Sequence, residues 1–173
     1  MPNFDFLSGS DALLPAAFSS VAKDDPERTW CRHRGLDYSY GDVDSRANAL
    51  ANALREKADI EKGDAVAVCM ENSADYFVAM FAAHRLGAVY VPCSTLYSKD
   101  ELAFQLDHAN VKVVICDDST VDLVSYCAEA VDSVRTIVST GSSHAGGAIP
   151  LETFLAGAST AVPDAMHELN ADD

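Results

Sequence analysis

From residue 63 to residue 117 the hydrophobic period switches repeatedly between strand and helix, and that alternation constrains the fold more than any other feature. Residues 65–70, AVAVCM, form a near-continuous apolar run, the pattern of a parallel strand covered on both faces. Ser73 then stands at a helix-cap position, and Ala74, Phe77, Val78, Phe81 and Ala82 follow as a buried helical stripe. Gly87 sits where a C-terminal glycine cap belongs. Residues 88–91 read as a second strand, stopped by Pro92. Ser98 and Glu101 make a capping box ahead of a helix through Leu102 and Leu106. Residues 111–116, VKVVIC, are a third strand. A helix marked by Val121, Val124, Cys127, Ala128 and Val131, and a strand over 135–138, extend the series. Strands alternating with helices through short links predict an α/β fold: a doubly wound, mostly parallel sheet with helices on both faces.

The segments before residue 63 obey other periods. Residues 10–23 are a short helix candidate, with Leu13, Leu14, Ala17, Phe18 and Val21 on one face. Residues 29–34 and 36–40 flank Gly35 and carry aromatic side chains on both arms, a β-hairpin signal. Val43, Ala47, Leu50, Ala51, Leu54 and Ala58 recur at helical spacing. After residue 139 the signal weakens to a loop over 141–147 and one helical turn over 151–155. Residues 1–155 therefore read as one α/β subdomain, and residues 156–173, small and polar, as a linker.

The chain carries 27 acidic against 12 basic residues, a net charge of −15. Such a field repels nucleic acid and anionic membrane surfaces. Ordinary acidic composition and adaptation to a high-salt interior both fit that balance. The five cysteines show no C-x-x-C or Cys/His spacing, and Cys69, Cys93 and Cys116 border strand-like runs. They read as small buried hydrophobes in a reducing compartment. The first residues lack a basic segment followed by an apolar one, and no apolar run approaches the roughly 20 residues needed to span a bilayer. The expectation is a cytoplasmic protein with no nucleic-acid partner and no membrane span.

Candidate chemistry is sparse. Residues 139–143, STGSS, follow a strand and are rich in hydroxyls and glycine, as a phosphate loop would be. No Lys occurs after Lys112 to meet a phosphate charge, so a surface loop is the favoured reading. His84 and Arg85 close a helix, where cations complement its dipole. Asp117 and Asp118 follow a strand at the edge where open α/β sheets bind ligands; a loop or capping role is favoured, because no G-x-G-x-x-G precedes them. His33, His108, His144 and His167 are scattered, and Asp172 and Asp173 read as a solvated pair. No catalytic residue and no metal ligand is assigned.

The wording of the chain adds a resemblance. Tyr38-Ser39-Tyr40-Gly41-Asp42-Val43, followed by Arg46-Ala47-Asn48-Ala49-Leu50-Ala51, resembles the TY-x-E-L…R-x-A-x-x-LA opening of adenylate-forming (AMP-binding) enzymes. Gly63-Asp64-Ala65-Val66-Ala67-Val68 and Glu71-Asn72-Ser73 are similar to their GD-x-V-A…N-S signature. Residues 83–92, AHRLGAVYVP, resemble A-x-x-x-GA-x-Y-V-P, and residues 97–102, YSKDEL, the s-x-x-E-L turn that follows. The motifs keep their order and spacing over residues 38–117, with the pattern most similar to acyl-CoA synthetases.

The resemblance implies the N-terminal part of an enzyme that joins a carboxylate to ATP, giving an acyl-adenylate, and then passes the acyl group to coenzyme A. ATP, Mg2+ and coenzyme A are implied for the intact enzyme, with fatty-acid metabolism as its setting. The family's phosphate loop, metal-binding Glu and catalytic Lys belong downstream of this stretch. This chain alone is therefore expected to bind no cofactor and to be inactive, its partner being the remainder of the enzyme and its substrate a carboxylic acid. Ser94, Thr95 and Leu96 match a region that lines the pantetheine tunnel in some relatives; the family often has Asn-Pro near Ser94 and Thr95, and a plain strand-to-helix connection is the competing reading. A non-catalytic binding or interaction module that reuses the fold is the alternative.

Overall fold

The computed structural model describes residues 13–143 and 145–170. Residues 10–12 of the first helix candidate, His144, and the pair Asp172 and Asp173 lie outside the described residues. Helix α1 (Leu14–Asp24) leads into a hairpin, β1 (Thr29–His33) and β2 (Leu36–Ser39). Then follow α2 (Tyr40–Ala58), β3 (Ala65–Cys69), α3 (Ala74–Arg85), β4 (Val89–Pro92), α4 (Lys99–His108), β5 (Val111–Cys116) and α5 (Val121–Ala128). The series closes with β6 (Thr136–Ser139), β7 (Ile149–Pro150), α6 (Leu151–Leu155) and a 3-10 helix (Asp164–Glu168).

The five-stranded sheet has the order β4-β3-β5-β6-β7, and every neighbouring pair is parallel. Its faces divide by alternation. Val66 and Val68 of β3, with Val113 and Ile115 of β5, point into a core shared with α2 and α3. Ala65, Ala67 and Cys69, with Val114 and Cys116, point into a second core under α4 and α5. An unbroken apolar run is what a strand between two helical layers requires. Strand β7 has no such run: it is two residues long, half-buried and ends in Pro150.

Local chemistry sets the boundaries. Ser98 and Glu101 form the expected capping box, and the Ser73 hydroxyl accepts from the Tyr76 amide at 3.2 Å. A further capping box joins Ser39 and Asp42, so α2 starts at Tyr40. The hairpin turns on Arg34 and Gly35 alone, both in the left-handed region at φ 51° and 81°. That is the tight turn whose twist matches the strands. A lone hairpin is marginal in water. Here Trp30 seats it, meeting Phe77 at 4.9 Å and Phe18 at 5.6 Å between ring centroids, while Phe18 stacks on Phe81 at 4.3 Å.

Residues 156–170 run back over α2 as a strap. Asn52 Nδ2 donates to the Ser159 and Ala161 carbonyls at 2.8 and 3.0 Å, and Lys57 Nζ to those of Phe154 and Ala156 at 2.7 and 2.8 Å. Met166 and Leu169 are buried, the latter against Gly87, where an added Cβ would lie 2.7 Å from a Leu169 methyl. Gly87 is also left-handed at φ +64°, so both cap geometry and close approach exclude a side chain.

Candidate functional site

In an open α/β sheet, ligands favour the carboxyl ends of strands where the winding direction reverses. Strand β4 lies on one side of β3 and β5 on the other, so that point falls between β3 and β5. A crevice of about 410 Å³ opens there, lined by Arg34 and Tyr38 of the hairpin, Glu71 and Asp75 after β3, and Asp117 and Asp118 after β5.

Its polar groups are largely engaged with one another. The Glu71 amide donates to Asp117 Oδ2 at 2.9 Å, and the Ser119 amide and hydroxyl donate to Asp117 Oδ1 at 3.0 and 2.6 Å. The Asp117 carbonyl accepts from the Val121 amide at 2.9 Å, which opens α5, while the Thr120 hydroxyl reaches the Cys69 carbonyl. Asp117 thus ties the ends of β3 and β5 together as a loop residue; the N-cap of α5 is Thr120, and no side chain caps that helix. Arg34 reaches Glu71 across the mouth at 3.2 Å, an exposed pair of the kind worth about 0–1 kcal/mol.

The STGSS loop beside the crevice already holds an anion, and it belongs to the chain. Asp118 Oδ1 accepts from the Ser143 amide at 2.8 Å, and Asp118 Oδ2 from the Ser142 hydroxyl at 3.3 Å. A Cβ on Gly141 would lie 2.1 Å from Asp118 Oδ1, so the glycine makes room for that carboxylate. The loop carries no Lys and donates to a side chain of its own sheet, so it does not fit a nucleotide phosphate. Among the described residues no group of three or more His, Cys, Asp or Glu could hold a metal ion.

The other flagged residues lie apart. Ser94, Thr95 and Leu96 follow β4 and do not line the crevice. The Ser94 hydroxyl accepts from the Leu96 amide at 3.2 Å, and Leu96 is 91% exposed. His84 packs edge-on against Tyr90, and burial lowers its pKa; His108 stacks on Phe104. Burial pushes the thiols up, Cys69 to about 11 and Cys93 and Cys116 to about 12, so they remain inert hydrophobes near neutrality.

The sequence matches the AMP-binding enzyme family over residues 18–172. The chain belongs to that family. A linear gramicidin synthase of Brevibacillus parabrevis is 35% identical over 105 residues, which is 61% of this chain and 1% of that protein. The 3-oxocholest-4-en-26-oate–CoA ligase of Rhodococcus rhodochrous is 28% identical over 65% of this chain and 20% of its own length. The anthranilate CoA ligase AuaEII, solved with anthranoyl-AMP, shares the fold at TM-score 0.77 and 20% identity, covering 84% of this chain and 28% of the ligase. MatB from Rhodopseudomonas palustris is 29% identical at TM-score 0.68, covering 86% of this chain and 29% of MatB. The chain thus spans less than a third of these relatives.

Within this AMP-binding family member, one polar constellation left little trace in the sequence. Arg85 closes α3, as the sequence implies, but it is fully buried there. Its guanidinium donates to Asp44 Oδ1 at 2.6 Å, the Asp44 carbonyl at 2.8 Å, Asn48 Oδ1 at 2.7 Å and the Ser19 hydroxyl at 3.1 Å. Burial lowers its pKa, opposed by Asp44. The network joins α1, α2 and α3. The available signal was Asp44 and Asn48, one helical turn apart beside the apolar stripe of α2.

Proposed function

We propose that this chain is the N-terminal portion of an ATP-dependent acyl-CoA synthetase, in which residues 1–155 form the α/β subdomain and residues 156–173 link it toward the phosphate loop. The intact enzyme converts a carboxylate and ATP to an acyl-adenylate, then transfers the acyl group to coenzyme A, with Mg2+ assisting, in cytoplasmic fatty-acid metabolism. The observation that carries this reading is the match of nearly the whole chain to AMP-binding enzymes, together with structural likeness to CoA ligases. The described residues form framework: the STGSS loop does not fit a nucleotide phosphate, and the cations and donors that stabilise transferring groups have to come from elsewhere. The chain alone is therefore inactive and binds no cofactor. Ser94, Thr95 and Leu96, which follow β4 with Ser94 and Leu96 exposed and Thr95 half-buried, are the residues proposed to touch pantetheine in the intact enzyme.

The test is ATP–pyrophosphate exchange with mixed carboxylic acids. This chain alone gives none above a heat-killed control; measurable exchange would overturn the inactivity. A second reading, an amino-acid-activating unit of a peptide synthase, draws support from the gramicidin and tyrocidine synthases among the relatives. Exchange by the intact enzyme with amino acids, and none with fatty acids, would favour it. A non-catalytic binding module predicts a polar surface throughout, whereas a portion of an enzyme exposes apolar surface where the rest packs. Strong binding of a hydrophobic dye separates the two in favour of the portion.

A further inference from the structure

Gly157 divides the last stretch of the described chain into two parts that are held in different ways. Before it, α6 belongs to the framework. Leu151 and Phe154 are buried in the core shared with α2 and α3, Glu152 pairs with Arg46 at 2.9 Å, and Lys57 Nζ fixes the Phe154 and Ala156 carbonyls. After it, the hold is sparse. Among the described residues 159–169 no backbone–backbone hydrogen bond leaves the strap; the Met166 amide donates to the Pro163 carbonyl at 3.0 Å, within it. One side chain and three apolar plugs keep the strap in place. Asn52 Nδ2 uses both of its N–H donors on the Ser159 and Ala161 carbonyls, and Pro163, Met166 and Leu169 are buried. The other residues of the strap are exposed, apart from the half-buried Ala165.

The junction is built to turn. Gly157 lies in the left-handed region at φ +78°, and a Cβ there would meet nothing within 4 Å. Its glycine is thus required by the direction of the backbone and not by packing, so no neighbour blocks rotation about it. A segment with few buried apolar contacts and no ladder opens at a lower free energy than the sheet it lies on. The strap also walls two clefts. Val162, Met166 and His167 line one of about 630 Å³ together with Ser19 and Lys23 of α1. Ala165 and Glu168 line another of about 410 Å³ together with Arg55 of α2.

We propose that residues 158–170 are a hinged arm, with Gly157 as its hinge and Asn52 as its latch, which undocks from α2 as a unit while the sheet and α6 stay folded. Undocking opens both clefts at once and lifts the Leu169 methyl from Gly87. It also changes the course of the chain toward the phosphate loop. That last consequence rests on the reading under Proposed function; the hinge is a property of the chain itself and is measured with neither ATP nor a carboxylic acid present.

The test follows alkylation by iodoacetamide of the folded chain carrying Met166→Cys and Cys31→Ser. The half-buried Cys31 is removed, and Cys69, Cys93, Cys116 and Cys127, all buried in the sheet core, report opening of the whole fold. The thiol at position 166 is expected to react about a hundredfold or more faster than Cys69 and Cys116. Its rate should change little in dilute urea, while theirs climbs, because undocking exposes little surface. Asn52→Asp keeps the size of the latch but replaces its two donors with an acceptor, and should speed the reaction at 166 about tenfold. Gly157→Ala should speed it too, because the strained docked hinge relaxes on undocking. Equal rates and equal urea slopes at position 166 and at Cys69 overturn the arm. Asn52→Asp without effect overturns the latch, and Gly157→Ala without effect overturns the hinge. Arm rates as expected, with no ATP–pyrophosphate exchange by the intact enzyme on any carboxylate, overturn the functional reading alone.

Discussion

Removing either end of the Arg85–Asp44 pair tests whether the buried network holds the three helices together. The two ends are unequal: the Arg85 side chain is 0% exposed and that of Asp44 18%. Losing one partner of a buried pair costs about 3–5 kcal/mol, because the other charge stays behind unpaired. Asp44→Ala leaves a guanidinium with no route to water and only neutral acceptors, Asn48, Ser19 and a carbonyl, so it falls in that range. Arg85→Met keeps most of the side-chain volume, and Asp44 retains the Ser19 hydroxyl at 2.6 Å and some water. Its cost should be about 2 kcal/mol, near that of one orphaned polar group. The double variant removes both charges and should be more stable than Asp44→Ala alone. Against a total of about 5–15 kcal/mol, these are large fractions.

Urea unfolding followed by fluorescence reads all three directly, because Trp30 is the only tryptophan and packs on Phe18, which belongs to the same helix as Ser19. The reasoning fails if Arg85→Met costs more than Asp44→Ala, or if the two losses simply add. Either result would mean that the pair acts through packing volume and not through charge left in the core.

Three further outcomes follow from the geometry. Gly141→Ala should cost about 1–2 kcal/mol, because the new methyl displaces Asp118 from the Ser143 amide; in an Asp118→Ala background the same change should cost nothing, as thermal melts can show. Burial raises the Asp64 carboxyl, but its hydrogen bonds to Lys112 and to the Glu61 amide overcome this and hold the net value below 3.8. A lowered folded-state pKa contributes stability above the unfolded value and loses it as the proton binds, so melting temperature should fall as pH drops below about 4, and less steeply in Lys112→Met. Finally, a net charge of −15 repels itself, and raising salt from 0.1 to 1 M shortens the screening length from about 10 to about 3 Å. The melting temperature should rise by several degrees, equally in KCl and NaCl, and a flat or falling curve would refute the repulsion.

The core of the fold was legible because its signals are local and redundant. Apolar runs, helical stripes and the Ser73 and Ser98 caps each imply one boundary, and all agree. What the sequence hid was short or distant. Strand β7 has two residues, too few for a period to register. The strap reads as a small, polar linker because its hold on α2 comes from Asn52 and Lys57, about a hundred positions earlier, donating to its backbone. Backbone acceptors leave no mark in a sequence.

The candidate site was hidden for a different reason. Asp117 and Asp118 stand at the ligand-binding end of the sheet, and STGSS has the composition of an anion loop; the missing Lys and the missing G-x-G-x-x-G already favoured loop roles for both, but not their pairing. In the fold they satisfy each other, Asp118 occupying the donors of the loop that composition would assign to phosphate. Gly141 likewise owes its identity to that carboxylate and not to a bound nucleotide. The familiar wording around Gly87 has the same character: the glycine of the LGAVYVP stretch is required by a helix cap and by the methyl of Leu169. Motif residues that name an enzyme family can therefore be fixed entirely by intramolecular packing.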